Sequence, residues 1–242
     1  MSRAGALCLL VALAPIASAG TVLRWSEVKR EGRATSEARM VVYGSEQGLR
    51  IELASLGGKR ERVTFLYLAE PKALYRKERD AREWSAVTPV TPITPVTPAQ
   101  IGAKRKTVKG KRQPEPKPKR SISRTGARHV VGDFECDGYV VKRSGEANRS
   151  LCLADPASLG LDAVVRDHFR EWSRLMNGLA ETTVAKPSRE NGGAPAQFFD
   201  LKEGFPVREW VMRGEEVVVD TKLEEVSASD VPASLFQPPL VR

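Results

Sequence analysis

The sequence predicts a mainly β protein with one long amphipathic helix. Short segments rich in β-branched and aromatic residues alternate with Gly, Ser and Pro along most of the chain, as expected for strands joined by turns. Apolar and charged residues alternate within Leu49–Leu53, which indicates a strand with one buried and one solvated face. A single stretch, Leu161–Leu179, instead repeats apolar residues at three- and four-residue steps, which is typical of an amphipathic helix.

The predicted strands fall into two series, separated by a long segment of different composition. The first series is Val22–Val28, Arg39–Tyr43, Leu49–Leu53, Val63–Leu68 and Ala73–Lys77. The second series is Val130–Val131, Tyr139–Val141, Leu151–Leu153, Ala196–Leu201, Val207–Met212 and Glu216–Thr221. The helix lies within the second series, and its apolar stripe must rest on the sheet because the sequence predicts no other large element.

The first nineteen residues resemble a cleavable secretory signal peptide. Arg3 is followed by an apolar run over Ala4–Ala14, and Ala17-Ser18-Ala19 supplies the small side chains that a signal peptidase accepts. We therefore expect cleavage between Ala19 and Gly20. The apolar run is shorter than the roughly 20 residues that a transmembrane helix needs. Leu7 stands where a lipidated Cys8 would need a small residue before it, so lipid anchoring is the weaker alternative.

The location that follows from this leader is the bacterial periplasm or the cell exterior. No later segment is long and apolar enough to predict a transmembrane span. We divide the chain into the signal peptide (1–19), a first half of the folded domain (20–85), an insertion (86–128) and a second half of the domain (129–242).

The insertion is predicted to be disordered. It opens with a Thr-Pro repeat over 88–98, where a proline at every third residue excludes helix and central strand and favours polyproline II. The part from Lys104 to Arg128 is basic and poor in apolar residues, so it cannot bury enough surface to offset the entropy lost on ordering.

The basic charge of the chain belongs to this insertion. It contains eleven Lys and Arg residues and one acid, Glu115, and so carries +10, whereas the whole chain carries +9. Lys104–Arg128 is therefore either a tether for an anionic envelope surface or a solvated linker without a partner. Nucleic acid is an unlikely partner, because no aromatic side chain is present to stack on bases.

The two cysteines of the mature chain, Cys136 and Cys152, are predicted to form a disulfide. An even, small number of cysteines in an oxidising compartment favours a structural bridge. A hairpin centred on Ser144 would place the two residues opposite each other, at a Cβ separation of about 4.5–5.5 Å that approaches what a disulfide requires. A reactive or metal-binding thiol pair is the alternative, although the spacing is not that of a CxxC motif.

The sequence predicts neither an enzyme nor a site for a metal or cofactor. His168 and Glu171 could share one face of the helix, but a metal ion needs three or four ligands. Asp133, Glu135 and Asp137 alternate along a predicted strand, which favours a solvated edge over a pair of catalytic carboxylates. Nucleophile-elbow, Walker and His-Glu-x-x-His motifs are missing from the sequence.

The layout resembles the LolA-like lipoprotein-carrier superfamily and its exported bacterial members of unknown function. The resemblance covers about 21–85 and 127–239 and rests on three segments: Pro71–Tyr75, Gly132–Tyr139, and the close from Gly204-Phe205-Pro206-Val207 to Val231–Pro239. It implies an incomplete antiparallel β-barrel, or half-barrel, with a helical lid across a concave apolar face. It also implies hydrophobic or lipid-modified cargo. The basic insertion departs from the carrier pattern.

The resemblance leads to a first functional hypothesis, the binding of a lipid or another apolar ligand on the concave face. The candidate face comprises Val42, Ile51, Leu53, Phe65, Phe169, Trp172, Met176, Phe198 and Trp210. The alternative outcome is a face filled by the protein's own side chains. The second functional hypothesis is an envelope adaptor, without a small-molecule ligand, that the basic insertion holds at anionic surfaces.

Overall fold

An open antiparallel sheet of eleven strands and one long helix make up the part of the chain that the structure describes. The structure is a computed structural model, and the described residues are 17–56, 62–87, 120–143, 149–182, 199 and 202–237. The elements are β1 (Ala17–Glu31), β2 (Ala34–Ser45), β3 (Gly48–Ser55), β4 (Arg62–Leu68), β5 (Ala73–Glu78), β6 (Ser85–Ala86), β7 (Arg120–Val131), β8 (Phe134–Arg143), β9 (Arg149–Ala154), α1 (Ala163–Thr182), β10 (Phe205–Arg213) and β11 (Glu216–Pro232). The sheet does not close into a barrel, and the predicted mainly β half-barrel with a helical lid is confirmed.

The strand order shows how the two predicted series combine. Across the sheet the order is β6-β5-β4-β3-β2-β1-β11-β10-β9-β8-β7. Two meanders, the N-half (β1–β6) and the C-half (β7–β11), therefore meet where the first strand pairs with the last. Ala17 lies opposite Pro232, and Lys29 lies opposite Val219. Since β6 and β7 are the outer edges, residues 88–119 connect opposite edges of one sheet.

The N-half buries side chains on both sides of the sheet, because successive residues of a strand point to opposite faces. The inner face is the side that α1 covers, and its buried residues include Leu23, Trp25, Met40, Val42, Leu49, Ile51, Phe65 and Tyr67. The outer face buries Val22, Leu66 and Leu68 against Val231 and against Phe236 of a short 3-10 turn, Ala233–Phe236. The helix and this turn thus cover opposite faces of the sheet.

The helix begins where the sequence supplies a cap. The Asp162 carboxylate accepts a hydrogen bond from the Val164 N–H at 2.7 Å, as an N-cap residue does. Val165, Phe169 and Trp172 form a buried stripe toward the sheet. The predicted helix, Leu161–Leu179, is displaced slightly from the observed one, which ends at Thr182. Within the described ranges, no helix is long and apolar enough to cross a membrane.

The predicted insertion is too long at its C-terminal end. Residues 120–128 belong to β7, which pairs with β8 on both sides of a register shift between Arg124 and Arg128. Ile122 packs on the cluster formed by Val141, Leu151 and Leu153. Arg124 and Arg128 of β7 reach solvent at the open edge, where charged side chains are common in strands. Ala86 lies in β6, and residues 88–119 fall outside the described ranges, so the disorder expected there stays a prediction.

Two further predictions lie partly outside the described residues. Of the predicted strand Ala196–Leu201, only Phe199 is described, and it lies in a turn. Of the predicted signal peptide, only Ala17, Ser18 and Ala19 are described, and they form the beginning of β1. Cleavage after Ala19 would therefore leave β1 starting at Gly20.

Candidate functional site

An aromatic cluster fills the space between α1 and the inner face of the sheet. Phe169 extends from the helix toward Phe199 and Phe205, whose ring centroids lie 4.7 Å and 5.3 Å from its own. Trp25 of β1 and Trp172 of α1 each lie 5.9 Å from the Phe199 ring. We call these five residues, Trp25, Phe169, Trp172, Phe199 and Phe205, the aromatic cluster. All of them are almost completely buried.

The structure brings the described members of the predicted apolar face into one core. Val42, Ile51, Phe65, Phe169 and Trp172 are buried in it, and Leu53, Met176 and Trp210 pack against it. Phe198 lies outside the described residues, whereas its neighbour Phe199 belongs to the aromatic cluster. Sequence reasoning missed Phe199, Trp25 and Phe205. The adjacent phenylalanines signalled a buried ring at this point but did not show which one faces inward.

The helix packs closely on the sheet at Gly44 of β2. A Cβ atom added at this glycine would lie 2.7 Å from Val165 Cγ1 of the helix and 3.3 Å from Leu49 Cδ2. The same end of the helix is fixed by the His168 ring, whose Nε2 lies 3.1 Å from the Glu46 carbonyl oxygen. The position of α1 therefore depends on two features of the β2–β3 hairpin: Gly44, which has no side chain to push Val165 away, and the Glu46 carbonyl, which contacts His168.

Two cavities flank the helix. The first, of about 270 Å³, reaches the aromatic cluster at Phe199 and Phe205, beside Leu153. Its rim is charged and carries Arg166, Arg170, Lys202, Asp137, Asp155 and Glu203. The second, of about 280 Å³, is bounded by Tyr67, Lys72, His168 and Arg174 and shares Arg170 with the first. Both cavities therefore combine charged residues with a buried aromatic side chain, and the first is the one that reaches the aromatic cluster.

Two polar groups inside the core have no partner among the described residues. They are the indole N–H groups of Trp25 and Trp172, which lie on the sheet side and the helix side of the aromatic cluster. Buried polar groups are hydrogen-bonded in the great majority of proteins, so each exception calls for an explanation.

The predicted disulfide is confirmed, but its place in the hairpin is not the one expected. Cys136 and Cys152 are bonded, with a Cα–Cα distance of 5.4 Å. In the β8–β9 ladder Cys152 lies opposite Gly138 instead of Cys136, so the bridge crosses the two strands diagonally. The predicted turn centre at Ser144 therefore gives the wrong register, because a hairpin loop of unknown length does not fix the pairing.

A buried carboxylate and a half-buried one, Glu209 and Glu27, lie beside the seam between the two halves. Glu209 of β10 is 2% exposed and lies opposite Thr221 of β11, which in turn lies opposite Glu27 of β1. One oxygen of Glu209 accepts a hydrogen bond from Arg149 of β9, and Glu27 accepts one from Thr221 at 3.1 Å. The other oxygen of Glu209, Oε2, has no hydrogen-bond partner in the described structure.

The environment of these two carboxyls shifts their titration. Burial raises the pKa of Glu209 to about 7, although the Arg149 guanidinium opposes the shift. Burial likewise raises the pKa of Glu27, opposed chiefly by its hydrogen bond from Thr221. Sequence reasoning assigned Glu209 to a strand but had no signal for its burial, which depends on distant strands. Neither described cavity reaches Glu209, so we assign it to stability and not to binding.

The weaker candidate groups from the sequence do not assemble into a site. His168 contacts a backbone carbonyl and lies against the Tyr67 ring, at a centroid distance of 5.7 Å. Asp137 pairs with Arg124 at 2.6 Å, while Asp133 and Glu135 are exposed. The described residues include no group of three or more His, Cys, Asp or Glu side chains placed to hold a metal ion.

Comparison with known proteins gives only distant structural similarities. No protein-family profile and no curated protein matches the chain. A structure of MucB in complex with MucA(peri) is 9% identical, with a TM-score of 0.38, and the match covers 91% of this chain and 54% of that chain. MucB alone is 10% identical, with a TM-score of 0.38 and coverage of 91% and 57%.

A third structure, the MucA/MucB complex of Pseudomonas aeruginosa, is also 10% identical. Its TM-score is 0.37, and the match covers 90% of this chain and 56% of that one. The present chain thus spans little more than half of the length of the solved structures it matches. At TM-scores of 0.37 and 0.38, these similarities establish neither a shared fold nor a ligand or partner.

Proposed function

We propose that this protein binds a ligand with a long apolar chain in the aromatic cluster beneath α1. The observation that carries the proposal is the first cavity. It is lined both by charged residues that reach solvent, such as Lys202 and Glu203, and by Phe199 and Phe205, which are buried members of the aromatic cluster. An amphiphile entering there would keep its head group at the rim while its chain replaces ring contacts further in.

In this proposal α1 is a lid that must move before the ligand is fully bound. The protein's own side chains fill the inner face, since Val42, Ile51 and Phe169 are completely buried. Room for an acyl chain therefore arises only when the helix moves away from the sheet. The polar contact of His168 and the close packing of Val165 on Gly44 hold one end of the lid.

Displacement of a fluorescent fatty acid by unlabelled lipid tests the proposal. Phe65→Arg places a charge at the most exposed of the buried aromatic residues in this core, at 9% exposure, and should weaken probe binding at least tenfold. Leu56→Arg, at an exposed apolar residue, is the matched control and should leave binding unchanged. Circular dichroism confirms folding of both variants. A wild-type protein without saturable binding would rule out a ligand role.

We place this function outside the cytoplasm, in the periplasm or the medium. The Cys136–Cys152 bridge supports an oxidising compartment, as does the proposed cleavage between Ala19 and Gly20. Intact-mass measurement of protein from the periplasm or medium should give Gly20 as the first residue. The adaptor role of the basic segment from Lys104 stays a prediction, since the described residues hold only its last part, in β7.

A further inference from the structure

The two buried indoles differ from the other tryptophans of the chain. Trp25 and Trp172 are 2% and 1% exposed, and their Nε1 atoms have no hydrogen-bond acceptor in the described part of the chain. Trp84 and Trp210 are half-buried, and neither has an Nε1 that is sealed and unpaired. Trp84 also lies with the outer-face cluster, away from the lid. Of the four indoles, the two with sealed and unpaired donors are therefore those under α1; the other sealed donors without a partner among the described residues are the Nε atoms of Arg76 and Arg166.

The surroundings of these donors explain why the protein does not pair them. An indole N–H is a donor only, and it needs an oxygen or nitrogen acceptor. The buried core around both rings consists of apolar and aromatic side chains. Leaving a buried donor unpaired costs free energy, so closing the lid over this core without a ligand is penalised twice.

We infer that Trp25 and Trp172 are specificity-determining residues that donate hydrogen bonds to a neutral carbonyl group on the bound chain. This inference rests on the proposed function and deepens it, because it selects acyl esters over plain hydrocarbons. Among the described residues, and so in the core around both indoles, no Lys or Arg side chain is buried. An ionised carboxylate held there would lack a counter-charge, so the carbonyl of an ester satisfies the donors at lower cost.

The two donors come from different elements, which links recognition to the position of the lid. Trp25 belongs to β1 and Trp172 to α1, and both rings contact the ring of Phe199. A carbonyl that accepts from both donors would join the helix to the sheet. Such a ligand would therefore favour the closed lid, whereas a hydrocarbon would provide only apolar contact.

Nuclear magnetic resonance of the ¹⁵N-labelled indoles tests the inference on the wild-type protein. The chain has four tryptophans and so four indole signals. Methyl laurate and a hydrocarbon of the same chain length are delivered from cyclodextrin. With the ester, the Trp25 and Trp172 N–H signals should move downfield and become protected from exchange, while those of Trp84 and Trp210 stay in place. The hydrocarbon should cause no downfield shift.

Affinities supply the second readout. Methyl laurate should bind roughly fivefold to tenfold more tightly than the hydrocarbon, as one net hydrogen bond predicts. Trp25→Phe and Trp172→Phe should each bring this ratio toward one while hydrocarbon binding persists. Trp84→Phe is the matched control and should keep the ratio. Equal affinities in the wild type, or unmoved Trp25 and Trp172 signals at saturation, would overturn the inference. If neither compound binds, the proposed function itself fails.

Discussion

The two halves of the sheet are stabilised in different ways. The N-half contains no disulfide among its described residues, and its inner face is covered by α1, an element of the C-half. The C-half is cross-linked internally by the Cys136–Cys152 bridge, by Arg149 on Glu209 and by a bidentate pair between Arg208 and Asp220 at 2.8 Å. The N-half thus depends on packing against α1 of the C-half, whereas the C-half depends more on its disulfide and its ion pairs.

The largest effect that we expect comes from the buried carboxyl of the C-half. The pKa of Glu209 is about 7 in the folded protein against an ordinary value of 4.5, so the folded state holds the proton over this interval while the unfolded state has released it. Stability is therefore greatest below pH 4.5 for this group and falls as the pH rises through 7. The loss amounts to ~3–4 kcal/mol.

Urea unfolding at pH 5 and pH 8 measures this loss. Glu209→Gln should flatten the dependence and raise stability at pH 8, whereas the exposed Glu216→Gln control should retain the wild-type slope. Glu27, whose pKa is also raised, leaves a smaller residual slope in the Glu209 variant. A wild-type protein equally stable at both pH values would show that Glu209 is ionised in the fold.

The disulfide is the next largest contribution and belongs to the same half. It closes a loop with a sequence separation of 16, for which restriction of the unfolded chain gives about 3 kcal/mol. The double variant Cys136→Ser, Cys152→Ser should lose this amount in urea unfolding. Reduction of the wild type should give a similar loss and leave the double variant unaffected. If the double variant loses less than about 1 kcal/mol of unfolding free energy, the disulfide does not account for the difference in stability between the two halves.

The contact of the N-half with the lid should respond to a single methyl group. Gly44→Ala places a Cβ against Val165, and we expect a loss of about 1–3 kcal/mol from overpacking together with faster entry of the fatty-acid probe. Val165→Ala in the same chain should recover part of the loss, which a double-mutant cycle measures. Val164→Ala, at an exposed helix position, is the control. Unchanged stability and probe kinetics in Gly44→Ala would show that the helix is not fixed at this point.

The smallest effect should follow from cutting the connection between the halves. Brief trypsin treatment is expected to cleave between Lys104 and residue 119 and to leave a complex of native size, because β1 and β11 pair along most of their length. The disulfide cannot retain the fragments, since both cysteines lie in the C-half. Separation of the fragments on native gel filtration would mean that the paired strands and α1 do not hold the halves together.

Local patterns predicted the parts of this fold that depend on local chemistry. The alternation of apolar and charged residues in 49–53 predicted β3. The apolar residues at three- and four-residue steps predicted α1, and the even number of cysteines predicted the disulfide. The C-terminal limit of the insertion was wrong because an edge strand needs few apolar residues. Within 121–128, the one partly buried side chain is that of Ile122, and the arginines around it obscured the strand in the sequence.

Features that depend on residues far apart in the chain could not be predicted from local sequence patterns. The pairing of Thr21 with Ala228 joins residues near the two ends of the chain, and no local period encodes it. The burial of Glu209 follows from that pairing, since β9, β10, β11 and β1 must all be in place before its surroundings exist. The candidate site was predicted as an apolar face, and the sequence left undecided whether that face is open or filled by the protein's own side chains, because the number of rings that fill it depends on how α1 docks.

The meeting of the first and last strands makes this protein a natural subject for circular permutation. Ala17 lies opposite Pro232, so a linker that starts after the Ala233–Phe236 turn and returns to β1 could join the two ends without removing Phe236 from the outer face, and new ends could be opened within residues 88–119. The permuted chain would run from β7 to β11 and then from β1 to β6, which is the order of the strands in space. Every strand would then pair with its neighbour in sequence. Contact order, the mean sequence separation of contacting residues, would fall sharply. The permutant should therefore fold faster than the natural chain, in which the central pair forms between the first and last strands.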